Sequence, residues 1–585
     1  MHEKNHQRCL PRINQPRRRF LQGLAAGGLV MGIAPRSATA GQKTHRELMS
    51  GRTVPVLSGT EFELTLEETP VNFTGSPGIA TTVNGSLPAP TLRWREGDEI
   101  TIRVTNRLPA MSSIHWHGII LPYDMDGVPG ISFDGIASGE SFTHRFTVNQ
   151  SGTYWYHAHT LHEQTGLYGG IIIDPVKTDP VEADRDYIVV LSDWTDEDPL
   201  TVLKKLKKQS DYYNFNLPTA LDFFQDVSTE GLGSAISKRR MWNRMRMNPT
   251  DLADVSGYTY TYLMNGRTPK GDWRARFNPG ERVRLRFINA GTQTFFDVRV
   301  PGLSLSVVQT DGQNVTPVTV DEFRMGPGET YDVVVTPTQE AYTIFAQSSD
   351  RTGYARGTLS SQDGMTAPVP ALDRPEWLTM TDMMGTMSTM EKNPMSGMGH
   401  MMHEGMAMET SPVKVHHAST EFGPSVDARV DTPRTNLDDP GMGLRNNGRR
   451  VLTYADLHTL GGSIDRRTPE REMEIHLTGN MERYTWSLDG LELGKAAPVH
   501  FRKAERLRVI MHNDTMMIHP MHLHGMWSDL ETPDGQFLVR KHTISVQPAQ
   551  RVAFSVTVDA PGYWAWHCHL LYHMAAGMFR VVVVA

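Results

Sequence analysis

Cysteine is nearly absent from this chain of 585 residues, which contains only Cys9 and Cys568. We expect Cys9 to be removed with an amino-terminal segment described below, so that the mature protein keeps one thiol and forms no internal disulfide. A lone thiol in an oxidising compartment is a liability unless something occupies it. The alternative is a buried, inert Cys that packs as a small apolar side chain.

The sequence also lacks long apolar runs and a strong charge of either sign. Stretches such as Ile171-Ile172-Ile173 have the length of a strand, and none is long enough to span a bilayer as a helix. The formal net charge of −7 gives no indication of nucleic-acid binding. We therefore expect no membrane span and no nucleic-acid partner.

Residues 1–40 contain the three parts of an export signal in order. Arg17-Arg18-Arg19 supply a twin-arginine start, Leu24 to Ala34 a Gly-rich apolar stretch, and Ala38-Thr39-Ala40 a small-residue cleavage site. The pattern predicts export to the bacterial periplasm by the twin-arginine route and a mature chain that begins at Gly41. The alternative is a basic tail followed by a core helix.

One pattern recurs three times along the chain. Each copy has Asn-Gly or Asp-Gly, then a second turn, then an alternating strand that ends at Asn106, Asn289 or Asn513. Short strands separated by Gly and Pro turns are typical of β-sandwiches. We therefore predict an all-β protein built from three β-sandwich units.

The first and third repeats carry histidines at the same places, nine and eleven residues after the terminal Asn: His115 and His117, and His522 and His524. The middle repeat has Val298 and Val300 there. Further along, His157-Ala158-His159 aligns with His567-Cys568-His569. We predict that the first and third units bind metal, that the second is mainly a spacer, and that only the third can make a thiolate site.

The tripeptide His567-Cys568-His569 is the most informative of these motifs. Side chains alternate faces along a strand, so that both histidines point away from the cysteine and are free to bind a different metal. Cys568 with His573 and Met578 offers the thiolate, imidazole and thioether of a blue-copper site. The tripeptide would then join two metal centres through a few covalent bonds.

Methionine is unusually common, with 32 residues, and is concentrated between residues 380 and 408. Almost no other apolar residue occurs in this Met-rich segment, so it is expected not to form a packed core. Thioethers and imidazoles favour Cu(I), and the alternative is a disordered linker. The candidate Cu(I)-capture residues are Met380, Met383, Met384, Met387, Met390, Met395, Met398, His400, Met401, Met402, His403, Met406 and Met408.

Ten histidines and one cysteine in four clusters are too many for a structural zinc site, which closes at four ligands. The clusters are His115-Trp116-His117-Gly118, His157-Ala158-His159, His519 to Gly525, and His567 to Met578. They resemble the four copper motifs of the multicopper oxidases, a family with three cupredoxin-like Greek-key domains. The leader and the Met-rich segment resemble more narrowly the periplasmic copper-resistance proteins of the CopA/PcoA type in that family.

The resemblance implies four copper ions and a ligand set for each. The type 1 ligands would be His519, Cys568 and His573, with Met578 as a weak axial ligand. The type 2 ligands would be His115 and His522. The two type 3 ions would be held by His117, His157 and His569, and by His159, His524 and His567. This trinuclear group must lie between the first and third domains, because neither has enough histidines alone.

Asp126 aligns with the acidic residue that the family keeps near the type 2 copper, where protons are needed for dioxygen reduction. The alternative is an ordinary Asp-Gly turn. The donor side departs from cuprous oxidases, since Thr515 stands where an acidic residue is expected before His519 and Met574 replaces a Glu found in some of them. Direct carry-over of a substrate-copper site is therefore doubtful, and Met516, Met517 and Met574 fit either copper handling or core packing.

We expect the following division of the chain: signal peptide 1–40, first cupredoxin domain 41–178, second domain 179–364 with an insertion at 196–250, linker 365–448 with the Met-rich segment, and third domain 449–585. Leu200 to Gln209 is helix-like, and the insertion is expected to be a solvated surface excursion.

The expected function is a periplasmic multicopper oxidase of copper resistance, which oxidises Cu(I) to Cu(II) and reduces dioxygen to water with four electrons. Cu(I) or a small organic reductant, dioxygen and other periplasmic copper-resistance proteins are the expected partners. The alternatives are a laccase-like oxidase of phenols and a copper-sequestering protein with incidental oxidase activity.

Overall fold

A computed structural model describes residues 54–245, 247–385 and 415–585 of the chain. The predicted signal peptide and residues 386–408 of the Met-rich segment lie outside the described residues. Within these ranges the protein is nearly all-β, with three β-sandwiches that follow one another along the chain. The predicted fold class is confirmed.

The first sandwich pairs a four-stranded sheet, in the order β3-β2-β5-β7, with a five-stranded sheet, β1-β4-β9-β8-β6. Its strands are β1 (Val56–Ser58), β2 (Glu61–Val71), β3 (Gly78–Val83), β4 (Ala89–Arg95), β5 (Glu99–Asn106), β6 (His115–His117), β7 (Ser141–Thr147), β8 (Gly152–His157) and β9 (Tyr168–Asp174).

The second sandwich pairs a six-stranded sheet, in the order β11-β10-β13-β18-β15-β16, with a five-stranded sheet, β12-β20-β19-β14-β17. Its strands are β10 (Arg185–Trp194), β11 (Thr261–Met264), β12 (Trp273–Arg276), β13 (Val283–Asn289), β14 (Phe296–Arg299), β15 (Leu305–Thr310), β16 (Gln313–Val320), β17 (Glu322–Met325), β18 (Thr330–Val335), β19 (Ala341–Ser348) and β20 (Tyr354–Ser360).

The third sandwich repeats the arrangement of the second, with sheets in the orders β22-β21-β24-β29-β26-β27 and β23-β31-β30-β25-β28. Its strands are β21 (Arg471–Asn480), β22 (Thr485–Leu488), β23 (Val499–Phe501), β24 (Arg506–Asn513), β25 (His519–Leu523), β26 (Ser528–Glu531), β27 (Phe537–Lys541), β28 (Thr543–Val546), β29 (Arg551–Thr557), β30 (Gly562–Cys568) and β31 (Phe579–Val584).

The predicted repeat corresponds to one local structure in all three sandwiches. The residue before each repeat glycine has a positive φ, +52° at Asn84, +49° at Asn265 and +53° at Asp489. Asn and Asp tolerate this left-handed conformation, which two-residue hairpin turns require. The repeated Asn-Gly and Asp-Gly pairs are therefore tight turns that follow β3, β11 and β22 in the three sandwiches.

The asparagine at the end of each repeated strand is buried and closes the following loop. Asn106 Nδ2 donates to two backbone carbonyls, at 2.9 and 2.8 Å, and Asn513 Nδ2 does the same at 2.7 and 2.9 Å. A buried carbonyl without a strand partner needs such a donor. These bonds fix the loops that lead into β6 and β25, which carry the His-X-His motifs.

The insertion contains three helices, α1 (Pro199–Lys208), α2 (Ala220–Glu230) and α3 (Leu232–Met245). The helix predicted near Leu200 to Gln209 is confirmed as α1. The expectation of a solvated excursion is wrong for α1 and the turn after it, because Val202, Leu206 and Tyr213 are buried in a hydrophobic core shared with the third sandwich. Val202 and Leu206 are four residues apart, so that they form one apolar face of the helix.

A short helix, α4 (Met380–Met384), begins the Met-rich segment. Thr379 caps it, and Asp382 accepts a hydrogen bond from Arg445 at 2.6 Å. Met383 is only 2% exposed and belongs to the hydrophobic core. The expectation that no part of this segment packs is therefore wrong for Met383, whose thioether fills a core position.

The last helix, α5 (Leu571–Ala576), connects β30 to β31 and carries His573. Among the described residues, no helix has the length and apolar character needed to cross a membrane.

Candidate metal centres

The His-X-His motifs lie on neighbouring antiparallel strands inside the first and third sandwiches. In the first, His115 on β6 is opposite His157 on β8. In the third, Met521 and His522 on β25 are opposite Cys568 and His567 on β30. Side chains alternate faces along a strand. The thiol of Cys568 and the imidazoles of His567 and His569 therefore face different neighbouring residues.

Cys568 faces two imidazoles in the interior of the third sandwich. Its Sγ lies 3.5 Å from His519 Nδ1 and 3.8 Å from His573 Nδ1, and the two nitrogens are 3.2 Å apart. Burial raises the pKa of the Cys568 thiol and lowers the pKa of His519. A thiolate here therefore needs a cation beside it, and a bound metal supplies one.

Met578 is fully buried next to this group, and the Cys568 N–H donates to its carbonyl oxygen at 3.2 Å. Thr515 Oγ1 lies 2.7 Å from His519 Nε2. The residue at the position expected to be acidic therefore forms a neutral hydrogen bond to His519.

Met516 and Met517 belong to the hydrophobic core, and Met574 is buried in a smaller apolar cluster, which favours packing for these side chains.

His115 and His522 each offer one buried nitrogen without a hydrogen-bond partner among the described residues, and in both it is Nε2. Their Nδ1 atoms lie 2.7 Å from the backbone carbonyls of Asp126 and His542 and must donate to them. An imidazole that donates from one nitrogen has a lone pair on the other. Two fixed lone pairs in a buried site suit a metal ion.

Two further groups each combine three imidazoles from both sandwiches. In one, His117 Nδ1 lies 3.4 Å from His157 Nε2 and 3.2 Å from His569 Nε2. In the other, His567 Nε2 is 3.2 Å from both His159 Nε2 and His524 Nε2. Imidazole nitrogens bound to one first-row ion at about 2.0–2.1 Å lie about 3.3 Å apart. The observed spacing fits such ions.

The protonation of these histidines also suits metal binding. Burial, followed by the influence of neighbouring imidazoles, lowers the pKa of His117, His157 and His569 well below the usual value. Burial likewise lowers the pKa of His567 to about 4. The side chains therefore remain neutral near pH 7, as metal ligation requires.

Asp126 joins the two sandwiches at this site. It is 1% exposed, follows a 3₁₀ turn at Tyr123–Met125, and its Oδ2 lies 2.9 Å from His524 Nδ1. Its Oδ1 lies 3.3 Å from His115 Nδ1. A solvent-facing turn residue would make neither contact, so the site includes this carboxylate, whereas its catalytic role stays a prediction.

Two carboxylates that sequence reasoning missed also contact the histidines. Glu163 Oε2 lies 2.9 Å from His157 Nδ1, and burial, with a smaller contribution from the charge of Asp193, raises the pKa of Glu163 well above its usual value. Asp254 Oδ2 lies 2.9 Å from His573 Nε2. Glu163 closely follows the His157 motif and could have been suspected, whereas Asp254 lies beyond the insertion and no spacing signals it.

Val298 and Val300 stand where the first and third repeats have histidines, and they lie in the hydrophobic core of the second sandwich. Of the predicted Cu(I)-capture residues, Met380, Met383 and Met384 lie on α4, and the other ten lie outside the described residues.

Multicopper oxidase family models match residues 65–178, 185–364 and 466–585. The chain belongs to the multicopper oxidase family. Copper is accordingly its cofactor, and the buried thiol and imidazoles fit that metal.

Within the family, the sequence is similar to proteins of copper resistance. It is 54% identical over 606 residues to copper resistance protein A of Escherichia coli, covering 98% of this chain and 99% of that protein. It is 52% identical over 586 residues to a copper resistance protein A homolog of Pseudomonas syringae pv. tomato, covering 97% and 99%. The crystal structure of Fet3p, a multicopper oxidase that functions in iron import, has a TM-score of 0.63 and 16% identity over 90% of each chain, which shows a shared fold.

We predict that Asp254→Asn weakens copper retention at the Cys568 group. The carboxylate lies 2.9 Å from the outer nitrogen, Nε2, of His573 and holds this imidazole in place, and loss of such a partner costs about 10- to 100-fold in metal affinity or activity. Retention is followed through the blue absorption during dialysis against a chelator.

The matched control for this experiment is Asp251→Asn. Burial, followed by the charges of Asp254 and Asp211, raises the pKa of Asp251 well above its usual value, which favours the uncharged carboxyl at this neighbouring position. Equal retention by Asp254→Asn and the unmodified protein would contradict the role assigned to Asp254.

Proposed function

We propose that this protein oxidises Cu(I) to Cu(II) at the expense of dioxygen, with four bound copper ions, and thereby protects the cell from copper. The convergence of ten buried imidazoles and one buried thiol on four groups supports this proposal. A sequestering protein would not need ligands shared between two domains in one closely spaced cluster.

In this proposal each group holds one ion. His519, Cys568 and His573, together with Met578, would hold the type 1 copper, and His115 with His522 would hold the type 2 copper. His117, His157 and His569 hold one type 3 copper, and His159, His524 and His567 hold the other. Copper bound in these places supplies one-electron oxidation of the reductant and four-electron reduction of dioxygen to water.

The chain itself provides the connection and the protons. Cys568 is flanked by His567 and His569, so that a few covalent bonds join the thiol group to both type 3 groups. Asp126 orients both imidazoles: its backbone carbonyl accepts from His115 Nδ1, and its carboxylate accepts from His524 Nδ1. Burial raises the pKa of Glu163 well above its usual value, which suits this carboxyl to hold a proton beside His157 and His569.

The anchoring of the Met-rich segment supports Cu(I) as the reductant. On one side of residues 386–414, Gly385 bridges to Thr432, and on the other the Val415 N–H donates to Asp431 O at 3.3 Å. The last described residue before this gap, Gly385, and the first described residue after it, Val415, therefore contact adjacent residues, Thr432 and Asp431. The neighbouring Val430 N–H donates to Asp514 at 2.8 Å, and Thr515 next to it hydrogen-bonds His519. Captured Cu(I) would thus be delivered close to the type 1 group.

A cavity of about 500 Å³ between the insertion and the third sandwich supports the same proposal. Met247, Met481 and Met516, which also pack in the hydrophobic core, line one part of it together with Asp251, and Lys238 and Arg239 line another part. Thioethers are preferred by Cu(I). The cavity wall also includes Trp242 and Trp377. These rings would suit a small aromatic reductant, so laccase-like oxidation of phenols is the second candidate.

The first test replaces the thiol. The purified, copper-loaded protein should be blue and hold about four copper ions, whereas Cys568→Ser should be colourless and hold about one ion fewer, because a hydroxyl does not replace the thiolate. Absorption spectroscopy and elemental analysis of the same preparation measure both quantities. A Cys568→Ser protein that remains blue would falsify the assignment.

The second test removes residues 386–408 and leaves α4 intact, because Met383 packs in the core. We expect a lower rate of Cu(I) oxidation at low copper and an unchanged or higher rate with a phenol, both measured by oxygen uptake. The matched control keeps the length of the segment and replaces its methionines by Leu, which removes the sulfur ligands alone. Unchanged Cu(I) oxidation together with a loss of phenol oxidation would make the segment an organic-substrate element.

We further propose periplasmic location through twin-arginine export, supported by the motif in residues 1–40. Replacement of Arg17, Arg18 and Arg19 by Lys should leave the precursor in the cytoplasm, because the export receptor recognises arginine rather than charge alone. Cell fractionation measures the distribution, and normal periplasmic accumulation of the triple variant would refute this route.

A further inference from the structure

Four titratable side chains outside the copper groups face one another in the third sandwich: His417, Glu421, His476 and Asp514. His417 and Glu421 lie in and just before a 3₁₀ turn at Ser419–Phe422, shortly after the Met-rich segment. His476 is on β21, and Asp514 directly follows β24. Each side chain is at most 6% exposed. Three segments distant in sequence thus bring two imidazoles and two carboxylates into one buried place.

The ligand-type atoms of these residues form a closed ring. His417 Nδ1 lies 2.7 Å from Glu421 Oε2, and His476 Nδ1 lies 2.7 Å from Asp514 Oδ2. The cross distances are 3.3 Å from His476 Nδ1 to Glu421 Oε2 and 3.8 Å from His417 Nδ1 to Asp514 Oδ2. Ligand atoms around a four-coordinate ion with bonds of about 2.0–2.1 Å lie about 3.3 Å apart. Shifts of about half an ångström would complete such a site.

The charge of the ring favours a cation. Negative charge on the two buried carboxylates is shielded from water and is costly unless a proton or a bound cation compensates it. Burial lowers the pKa of His476, but the hydrogen bond and charge of Asp514 and the charge of Glu421 outweigh this, so that the net shift is upward. The metal-free ring therefore attracts protons, for which a divalent ion would compete.

We propose that His417, Glu421, His476 and Asp514 form a fifth metal site, which binds a divalent first-row cation and prefers Cu(II). Two imidazoles and two carboxylates lack the sulfur ligands that select Cu(I). At a given set of nitrogen and oxygen ligands, Cu(II) binds more tightly than Zn(II) or the lighter divalent ions. Cu(II) is also the product of the proposed oxidation, although binding at this site does not depend on that activity.

A metal ion in this ring would have a structural consequence. It would tie the segment that follows residue 414 to β21 and to the end of β24. Asp514 precedes Thr515, whose hydroxyl hydrogen-bonds His519. The fifth ion would thus fix the chain that follows residue 414 beside the type 1 group.

The test uses the copper-loaded, blue full-length protein, incubated in air with Cu(II) or with Zn(II) and then desalted. We expect one additional Cu(II) per chain, bound at least about tenfold more weakly in Glu421→Gln and Asp514→Asn, since each loses a charged ligand. The blue absorption reports folding and is expected to be unchanged. Elemental analysis gives the metal count, and a competition titration gives the affinity.

The matched control is His512→Gln. The His512 ring stacks on His476 with centroids 4.7 Å apart, yet it contributes no atom to the ring of ligands, so this variant should retain the additional ion. Equal Cu(II) binding by Glu421→Gln and the unmodified protein would overturn the proposal, as would equal losses in Glu421→Gln and His512→Gln. Tighter binding of Zn(II) than of Cu(II) would overturn the preference for copper.

Crystals of the unmodified protein soaked in Cu(II) provide a measurement that does not depend on a variant that folds. Anomalous scattering at the copper edge should give a peak among the four side chains. The absence of a peak under conditions that saturate the additional ion would place that ion elsewhere and overturn the assignment.

Discussion

The arrangement of the molecule depends on neutral imidazoles that meet in a buried interface between the first and third sandwiches. Burial lowers the pKa of these histidines, which removes the positive charge that would otherwise push the two domains apart. Their lone pairs then need a partner, and a shared metal ion satisfies ligands from both sides at once. Asp126 reinforces the interface by contacting His115 from one sandwich and His524 from the other. Metal binding and domain association are therefore coupled.

The second sandwich and its insertion, as well as the third sandwich, enclose the group formed by Cys568, His519 and His573. His573 is completely buried, and its outer nitrogen contacts Asp254, which also accepts a hydrogen bond from Tyr484 at 2.8 Å. Helix α1 packs its apolar face into the same core. A reductant therefore cannot touch His573 directly, because residues such as Asp254 and Tyr484 cover it. The cavity partly lined by Met247, Met481 and Met516 is the place where Cu(I) could approach these covering residues.

Much of this architecture could be predicted because it follows from local rules. Strand alternation separates Cys568 from its flanking histidines, and the repeat that ends at Asn106, Asn289 and Asn513 places the other motifs in equivalent positions. Asp254 could not be found in this way, because only tertiary packing brings the loop beyond the insertion to His573. The same holds for His417 and Asp514, which share no spacing pattern. The sequence predicts Met383 as a copper ligand, but this residue packs in the core. Composition alone does not distinguish a methionine that packs from one that binds copper.

The most direct test of the account is the location of copper in crystals of the loaded protein by anomalous scattering at the copper edge. The account predicts one peak within reach of Cys568, His519 and His573, and three closely spaced peaks between the first and third sandwiches, each beside its own group of imidazoles. Copper at the thiol group alone, with none between the sandwiches, would contradict the proposal that this chain reduces dioxygen at a shared cluster.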